Sequence, residues 1–188
     1  MIKNKAIFLD RDGTINVEKD YLYMIEDFEF LPNVITALQR LQSAGYLLII
    51  ITNQSGIARG YYKEEDYQKL NSWMLEELKQ HGISITAVYY CPHHPEAFVP
   101  AYRIDCDCRK PKLGLYEQAI ADYNIDLSSS FAIGDKIRDC AICSTTNAHG
   151  YLIAHNEKPE IIEAIKNGQY ERVEYVDDLL TAANKILS

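Results

Sequence analysis

Lys5-Ala6-Ile7-Phe8-Leu9-Asp10-Arg11-Asp12-Gly13-Thr14 is the stretch whose reading decides the fold. An apolar run leads into two aspartates two positions apart, then a glycine and a threonine. On an extended backbone residues i and i+2 point to the same side, so Asp10 and Asp12 are expected to face one cleft at a strand end. Gly13 lets the chain turn there without a Cβ penalty. Two carboxylates held together either bind a cation or divide into a nucleophile and an acid/base. A lone pair of this kind reads equally well as two solvated acids, and the rest of the chain has to decide.

Outward from this stretch, apolar runs and helical patterns alternate. After the strand Ala6–Leu9, Val34, Leu38 and Leu41 mark one face of a helix that Gly45 ends. Leu47–Ile51 is apolar without alternation, as expected of a parallel strand covered on both faces. Glu64–His81 carries Tyr67, Leu70, Met74 and Leu78 at helical spacing. Strands are predicted at Ile85–Tyr90, Phe131–Ile133, Tyr151–Ala154 and Arg172–Tyr175. Helices are predicted at Leu113–Tyr123, Ile137–Thr146 and Pro159–Lys166, with a last one opened by Asp177 and Asp178 and running to Leu187. Repeated β-α units predict an α/β fold, a doubly wound Rossmann-like parallel sheet with helices on both faces. Residues 1–188 read as a single domain.

The composition suits a folded core: 188 residues, 47% hydrophobic and 24% charged. A net charge of −8 argues against broad electrostatic binding to nucleic acid or an anionic membrane, yet leaves room for a small phosphorylated substrate at a local cationic site. The N-terminal residues do not read as a signal peptide, and the longest apolar run, Tyr46–Ile51, is too short to span a bilayer. A cytoplasmic monomer is expected. Five cysteines, an odd number, point to metal or packing rather than to a disulfide framework.

Ligands of open α/β sheets bind beyond the carboxyl ends of the strands, and the polar residues fall there. Thr52 and Asn53 follow the second strand as a candidate cradle for phosphoryl oxygens, Gly56 and Gly60 keep the loop's N–H groups accessible, and Arg59 is available for a more distant anion. Tyr61 and Tyr62 would line a rim. Pro111 restricts Lys110 to an extended conformation, so its ammonium can be aimed at a transferring phosphoryl group. Gly134-Asp135-Lys136 follows the fourth strand; Asp135 would complete a magnesium site with Asp10, and Asp139 would orient it, pair with Lys136, or serve as a helix N-terminal acid. The long segment 91–111 carries Cys91-x-His93 and Cys106-x-Cys108, three sulfurs and an imidazole suited to a closed, structural zinc site, with His94 competing with His93. Asp105 and Asp107 read as solvated, and Cys140 and Cys143 as core packing.

Asp10-x-Asp12-Gly13-Thr14, Thr52, Lys110 and Gly134-Asp135 together resemble the four-motif pattern of the haloacid dehalogenase superfamily of phosphatases. The longer segments Phe8–Asn16, Thr52–Gly60, Cys91–Pro95, Cys106–Pro111 and Gly134–Lys136 are similar to the D-glycero-D-manno-heptose 1,7-bisphosphate 7-phosphatase family and to the related histidinol-phosphate phosphatases. The resemblance implies a phosphoric monoester hydrolase of nucleotide-activated heptose biosynthesis. Asp10 would be the nucleophile and Asp12 the proton carrier. Mg²⁺ would be held by Asp10, the backbone carbonyl of Asp12, and Asp135. Thr52, Asn53 and Lys110 would hold the phosphoryl group and Arg109 the second phosphate, with Lys136 and Asp139 in support. Cys91, His93, Cys106 and Cys108 would bind Zn²⁺ in a small loop that replaces a cap domain. Neither the helix bearing Arg138, Cys140 and Cys143 nor the segment Ala154–Lys158 is expected to touch a catalytic motif. Three alternatives stand beside this reading: a histidinol-phosphate phosphatase, a nucleic-acid 3′-phosphatase, and a non-catalytic zinc-binding module.

Overall fold

The computed structural model describes residues 3–153 and 155–188. Six strands, β1 (Ala6–Leu9), β2 (Leu47–Asn53), β3 (Ala87–Cys91), β4 (Phe131–Gly134), β5 (His149–Ile153) and β6 (Val173–Val176), form one sheet in the order β3-β2-β1-β4-β5-β6. Every pairing is parallel; Leu9, for instance, is in register with Ile50 on one side and Ile133 on the other. The predicted end of the fifth strand, Ala154, lies outside the described residues. The chain winds outward from β1 through β2 to β3, then crosses back and winds outward from β4. The reversal between β1 and β4 opens a crevice beyond their carboxyl ends, where ligands of such sheets bind.

Among the described residues six α-helices accompany the sheet: α1 (Val34–Ser43), α2 (Ser55–Arg59), α3 (Glu64–Gln80), α4 (Gly114–Tyr123), α5 (Pro159–Lys166) and α6 (Leu179–Leu187). Within β1 the alternation of side chains divides the core. Ile7 and Leu9 pack with Leu38 and Leu41 of α1, Met74 and Leu78 of α3, and Ala182 of α6. Ala6 and Phe8 face the other layer, with Leu115, Tyr116 and Ala119 of α4 and Ile165 of α5. Burial on both faces explains why these strands read as unbroken apolar runs. Asp178 caps α6 by accepting the Thr181 N–H at 2.7 Å. No helix among the described residues is long and apolar enough to cross a membrane.

Two local features go beyond the sequence expectations. The helix expected over Ile137–Thr146 is present and winds as a 3₁₀ helix, Ile137–Ser144. The Asp139 carbonyl there accepts the Tyr116 hydroxyl at 2.6 Å, and Gly134 lies so close to the turn that a Cβ would fall 2.2 Å from that of Asp139. The loop after β2 folds into the short helix α2. Its glycines serve packing and capping: a Cβ on Gly56 would lie 2.2 Å from the Tyr62 ring, and Gly60, at φ +77°, ends the helix with its N–H donated to Ile57.

Candidate active site

Asp10 and Asp12 lie just past the end of β1, not on it. The chain wraps around the Arg11 carbonyl, which accepts the N–H groups of Thr14, Ile15 and Asn16, and Gly13 turns with φ +79°. The two aspartates still share one recess, of about 40 Å³, with Glu18, Asn53, Lys110, Asp135 and Arg138. The close approach of Asp135 from β4 explains the glycine: a Cβ at Gly13 would sit 2.3 Å from Asp135 Oδ2.

Lys110 is buried, and its ammonium is fully engaged. Nζ donates to Asp10 Oδ1 at 2.8 Å and to the Ile51 carbonyl at 2.6 Å, and lies 2.8 Å from Asp139 Oδ1. Burial works to lower its pKa, but Asp10 and Asp139 outweigh it and hold the group above its usual value. Asn53 holds the Lys110 peptide from both sides, its Oδ1 accepting the Lys110 N–H at 3.0 Å and its Nδ2 donating to the Lys110 carbonyl at 3.1 Å. Asp139 reaches Lys110 rather than the Lys136 ammonium; its other oxygen accepts the Lys136 backbone N–H at 2.9 Å.

Carboxylate oxygens of Asp10, Asp135 and Asp139 lie within 4.8 Å of one another. Burial, reinforced by the neighbouring acids, pushes Asp10 up to about 8 against the pull of Lys110, and burial with Asp139 pushes Asp135 up to about 6. A site that resists ionisation in this way suits a divalent cation. Because Asp139 spends both oxygens on Lys110 and Lys136, Asp10 and Asp135 are the better-disposed ligands.

Asp12 rests in a cradle of its own. Arg11, whose side chain is 1% exposed, donates from Nε and Nη2 to Oδ1 at 3.1 and 2.9 Å and from Nη2 to Oδ2 at 2.9 Å. Asn16 Nδ2 donates to Oδ1 at 3.0 Å and Gln54 Nε2 to Oδ2 at 2.9 Å. Gln54 also donates to Thr52 Oγ1 at 3.0 Å, leaving that hydroxyl its own hydrogen to give.

A wider cleft of about 490 Å³ opens above the recess, and Arg59, Arg109, Lys136 and Arg138 all reach it. Glu18 and Asp20 supply acidic groups on its lining; burial and the charges of Asp12 and Asp135 raise the Glu18 pKa. Tyr21 forms the rim with Tyr61 edge-on to it, and Arg59 lies over the Tyr21 ring. Tyr62 lines the cleft from a largely buried position, its hydroxyl donating to Gln54 Oε1 at 2.6 Å.

The segment 91–111 brings Cys91, His93, Cys106 and Cys108 together. Cys108 Sγ lies 3.0 Å from the other two sulfurs and 3.4 Å from His93 Nδ1, spacings that approach the edges of a tetrahedral metal site. His94 is turned away: its Nε2 is 3.3 Å from Arg59, and its Nδ1 accepts the Glu96 N–H. Asp105 is not merely solvated, since it accepts from Lys112 Nζ at 2.6 Å. Cys140 and Cys143 are buried free thiols packed against Gly150.

The sequence reading missed Arg11, Glu18, Arg138 and Asn156 as site residues. Arg138 lines both the recess and the cleft, and Asn156 Nδ2 donates to Asp135 Oδ2 at 3.0 Å. Neighbouring Glu157 accepts the Ile137 N–H at 2.7 Å. The helix after β4 and the segment after β5 therefore do touch the site. Only the charge of Arg11, between two acids at a strand end, was a signal available in advance.

Residues 5–166 match the family described as polynucleotide kinase 3 phosphatase. The D-glycero-beta-D-manno-heptose-1,7-bisphosphate 7-phosphatase of Haemophilus ducreyi is 45% identical over 163 residues, 86% of this chain and 89% of its own. The D-glycero-alpha-D-manno-heptose-1,7-bisphosphate 7-phosphatase of Photorhabdus laumondii is 50% identical over 137 residues, 73% of this chain and 75% of its own. The crystal structure of D,D-heptose 1,7-bisphosphate phosphatase from B. bronchiseptica, complexed with magnesium and phosphate, superposes with a TM-score of 0.82 at 29% identity, covering 97% of this chain and 98% of that one.

Proposed function

The chain belongs to the polynucleotide kinase 3 phosphatase family and, within it, to the D-glycero-D-manno-heptose-1,7-bisphosphate 7-phosphatases, and from that premise we propose how its own residues remove the 7-phosphate. The observation that carries the reading is the recess itself, where Asp10 is held by Lys110 at 2.8 Å beside Asp12 at the foot of a cationic cleft.

Asp10 attacks phosphorus in line; the bond to the sugar oxygen breaks, and its electron pair leaves on that oxygen. Asp12 supplies the proton the alkoxide needs. In the second half Asp12 takes a proton from water, whose oxygen attacks phosphorus and releases the Asp10 carboxylate and inorganic phosphate. Thr52 holds a phosphoryl oxygen, Lys110 exchanges one of its three contacts for a second such oxygen and counters the charge that develops there, Asn53 fixes the Lys110 backbone, and Asp139 orients the ammonium. Arg109 and Arg59, with Lys136 beside them, receive the second phosphate, for which a cation is required.

Asp10, Asp135 and the Asp12 carbonyl would hold Mg²⁺, which neutralises charge at the phosphoryl group when bound. The donor set Cys91, His93, Cys106 and Cys108 fits structural Zn²⁺, leaving no ligand position for a catalytic water. Thiols kept for a metal belong in a reducing compartment, and the site draws on one chain, so the reading includes a cytoplasmic monomer. The net charge of −8 counts against a nucleic-acid substrate.

The test is phosphate release with Mg²⁺ from heptose 1,7-bisphosphate, histidinol phosphate and a 3′-phosphorylated oligonucleotide. The bisphosphate should have the highest kcat/KM, with the 7-phosphate leaving; a preference for either competitor overturns the substrate assignment. Asp10→Asn should release no phosphate while keeping its zinc content and fold.

A further inference from the structure

The aspartates at the foot of the cleft are not held alike. Asp10 is tied to Lys110, Asp139 to Lys110 and the Lys136 N–H, and Asp12 to Arg11, Asn16 and Gln54. Among the described residues the Asp135 carboxylate takes one hydrogen bond, from Asn156 Nδ2 to Oδ2 at 3.0 Å, and its Oδ1 has no protein partner. The donor stands on the loop that follows β5. That loop is fastened beside Asp135: Glu157 Oε2 accepts the Ile137 N–H at 2.7 Å, and its Oε1 accepts the Lys158 N–H at 2.9 Å. The bonded pair also presses on the turn after β1. A Cβ at Gly13 would lie 2.3 Å from Asp135 Oδ2 and 3.1 Å from Asn156 Nδ2. Three segments far apart in the chain thus meet at one hydrogen bond.

We propose that Asn156 is a positioning residue for the Mg²⁺ site, holding Asp135 by one oxygen so that the other is left to the cation. This rests on the reading of Asp135 as a Mg²⁺ ligand. Mg²⁺ demands near-octahedral geometry, so a ligand that is free to turn has to be ordered when the ion binds, and affinity falls. A carboxylate already hydrogen-bonded at the oxygen that does not ligate is ordered beforehand. The chemistry of the donor matters as well. An ammonium in this place would counter the charge of Asp135, as Lys110 counters that of Asp10, and would compete with the cation. The amide is neutral, so it fixes orientation and leaves the charge in place. Asn156 is exposed at the cleft, so its bond to Asp135 can be removed without hollowing the core.

The test titrates Mg²⁺ alone into zinc-loaded, substrate-free protein and reads the melting temperature at each concentration, since a cation bound only by the folded state raises it. Asn156→Ala should need about tenfold more Mg²⁺ than wild type for the same rise, from a starting melting temperature close to that of wild type. In turnover the Mg²⁺ concentration giving half the maximal rate should increase by the same factor, and kcat should recover to within about threefold of wild type once Mg²⁺ saturates. Asn156→Gln, which keeps the amide on a longer arm, should regain part of the Mg²⁺ affinity. A wild-type Mg²⁺ requirement in Asn156→Ala overturns the proposal. So does a loss that appears only in KM at saturating Mg²⁺, which would put Asn156 on the substrate instead. Asp135→Asn separates this inference from the reading beneath it. A wild-type response to Mg²⁺ in Asp135→Asn removes Asp135 from the metal site. An Asp135→Asn that no longer responds, together with an unaltered Asn156→Ala, removes the role of Asn156 alone.

Discussion

Lys110 Nζ donates to Asp10 Oδ1 at 2.8 Å although 100 positions separate the two residues, and both are almost fully buried. The contact joins the end of β1 to the segment that follows the Cys/His cluster. Asp139 on the other side of the ammonium completes a buried acid–base–acid arrangement.

Removing the ammonium therefore does two things at once. Lys110→Met should lower kcat by at least about a hundredfold and cost about 3–5 kcal/mol of stability, since two buried carboxylates lose their counter-charge. The stability loss should be larger at pH 8, where more of Asp10 is ionised, than at pH 5. Urea unfolding at both values checks this, and Lys110→Met/Asp139→Asn should recover part of the loss at pH 8.

Asp10 and Asp135 titrate in the folded chain above their ordinary range, at about 8 and about 6. Between about pH 4 and pH 8 the folded state consequently holds more protons than the unfolded chain, and its stability falls as pH rises. The melting temperature of zinc-loaded, magnesium-free protein should be lower at pH 8 than at pH 5.5. Added Mg²⁺ should raise it more at pH 8, because binding has fewer protons to displace. A Mg²⁺ effect that is the same at both values would count against this origin.

The Cys/His cluster should be separable from the chemistry but not from its geometry. Cys106→Ser should lower zinc content by elemental analysis and lower the melting temperature. It should also reduce kcat, because Cys108 leads directly into Arg109 and Lys110. Asp10→Asn should keep its zinc.

Arg109 is half-buried at the cleft, and its Nη1 donates to the His93 carbonyl at 3.4 Å. Arg109→Met should raise KM for the 1,7-bisphosphate by about tenfold or more, the loss of a charge-assisted contact. It should change hydrolysis of p-nitrophenyl phosphate, which has no second phosphate, by less than about threefold. Equal losses on both substrates would move Arg109 from substrate selection to the fold.

The layered sheet was legible in the chain because its signals are local. Leu47–Ile51 is apolar without alternation, Val34, Leu38 and Leu41 recur at helical spacing, and polar clusters stand where each strand ends. Asp10, Asp12, Lys110, Asp135 and the four Cys/His residues could be named for the same reason, since each sits at a punctuated position. Parallel pairing then decided what no local signal carries. Placing β4 beside β1 brings Asp135 against Gly13, carries Asp139 to Lys110, and directs Arg138 and Asn156 into a site that their own neighbours in sequence do not announce. It also decided that Asp10 and Asp12 share a recess by a turn around the Arg11 carbonyl rather than by strand alternation. A residue type in a one-dimensional pattern can state what chemistry is available. Which donor meets which acceptor depends on contacts between residues 100 or more positions apart, and packing alone sets those distances.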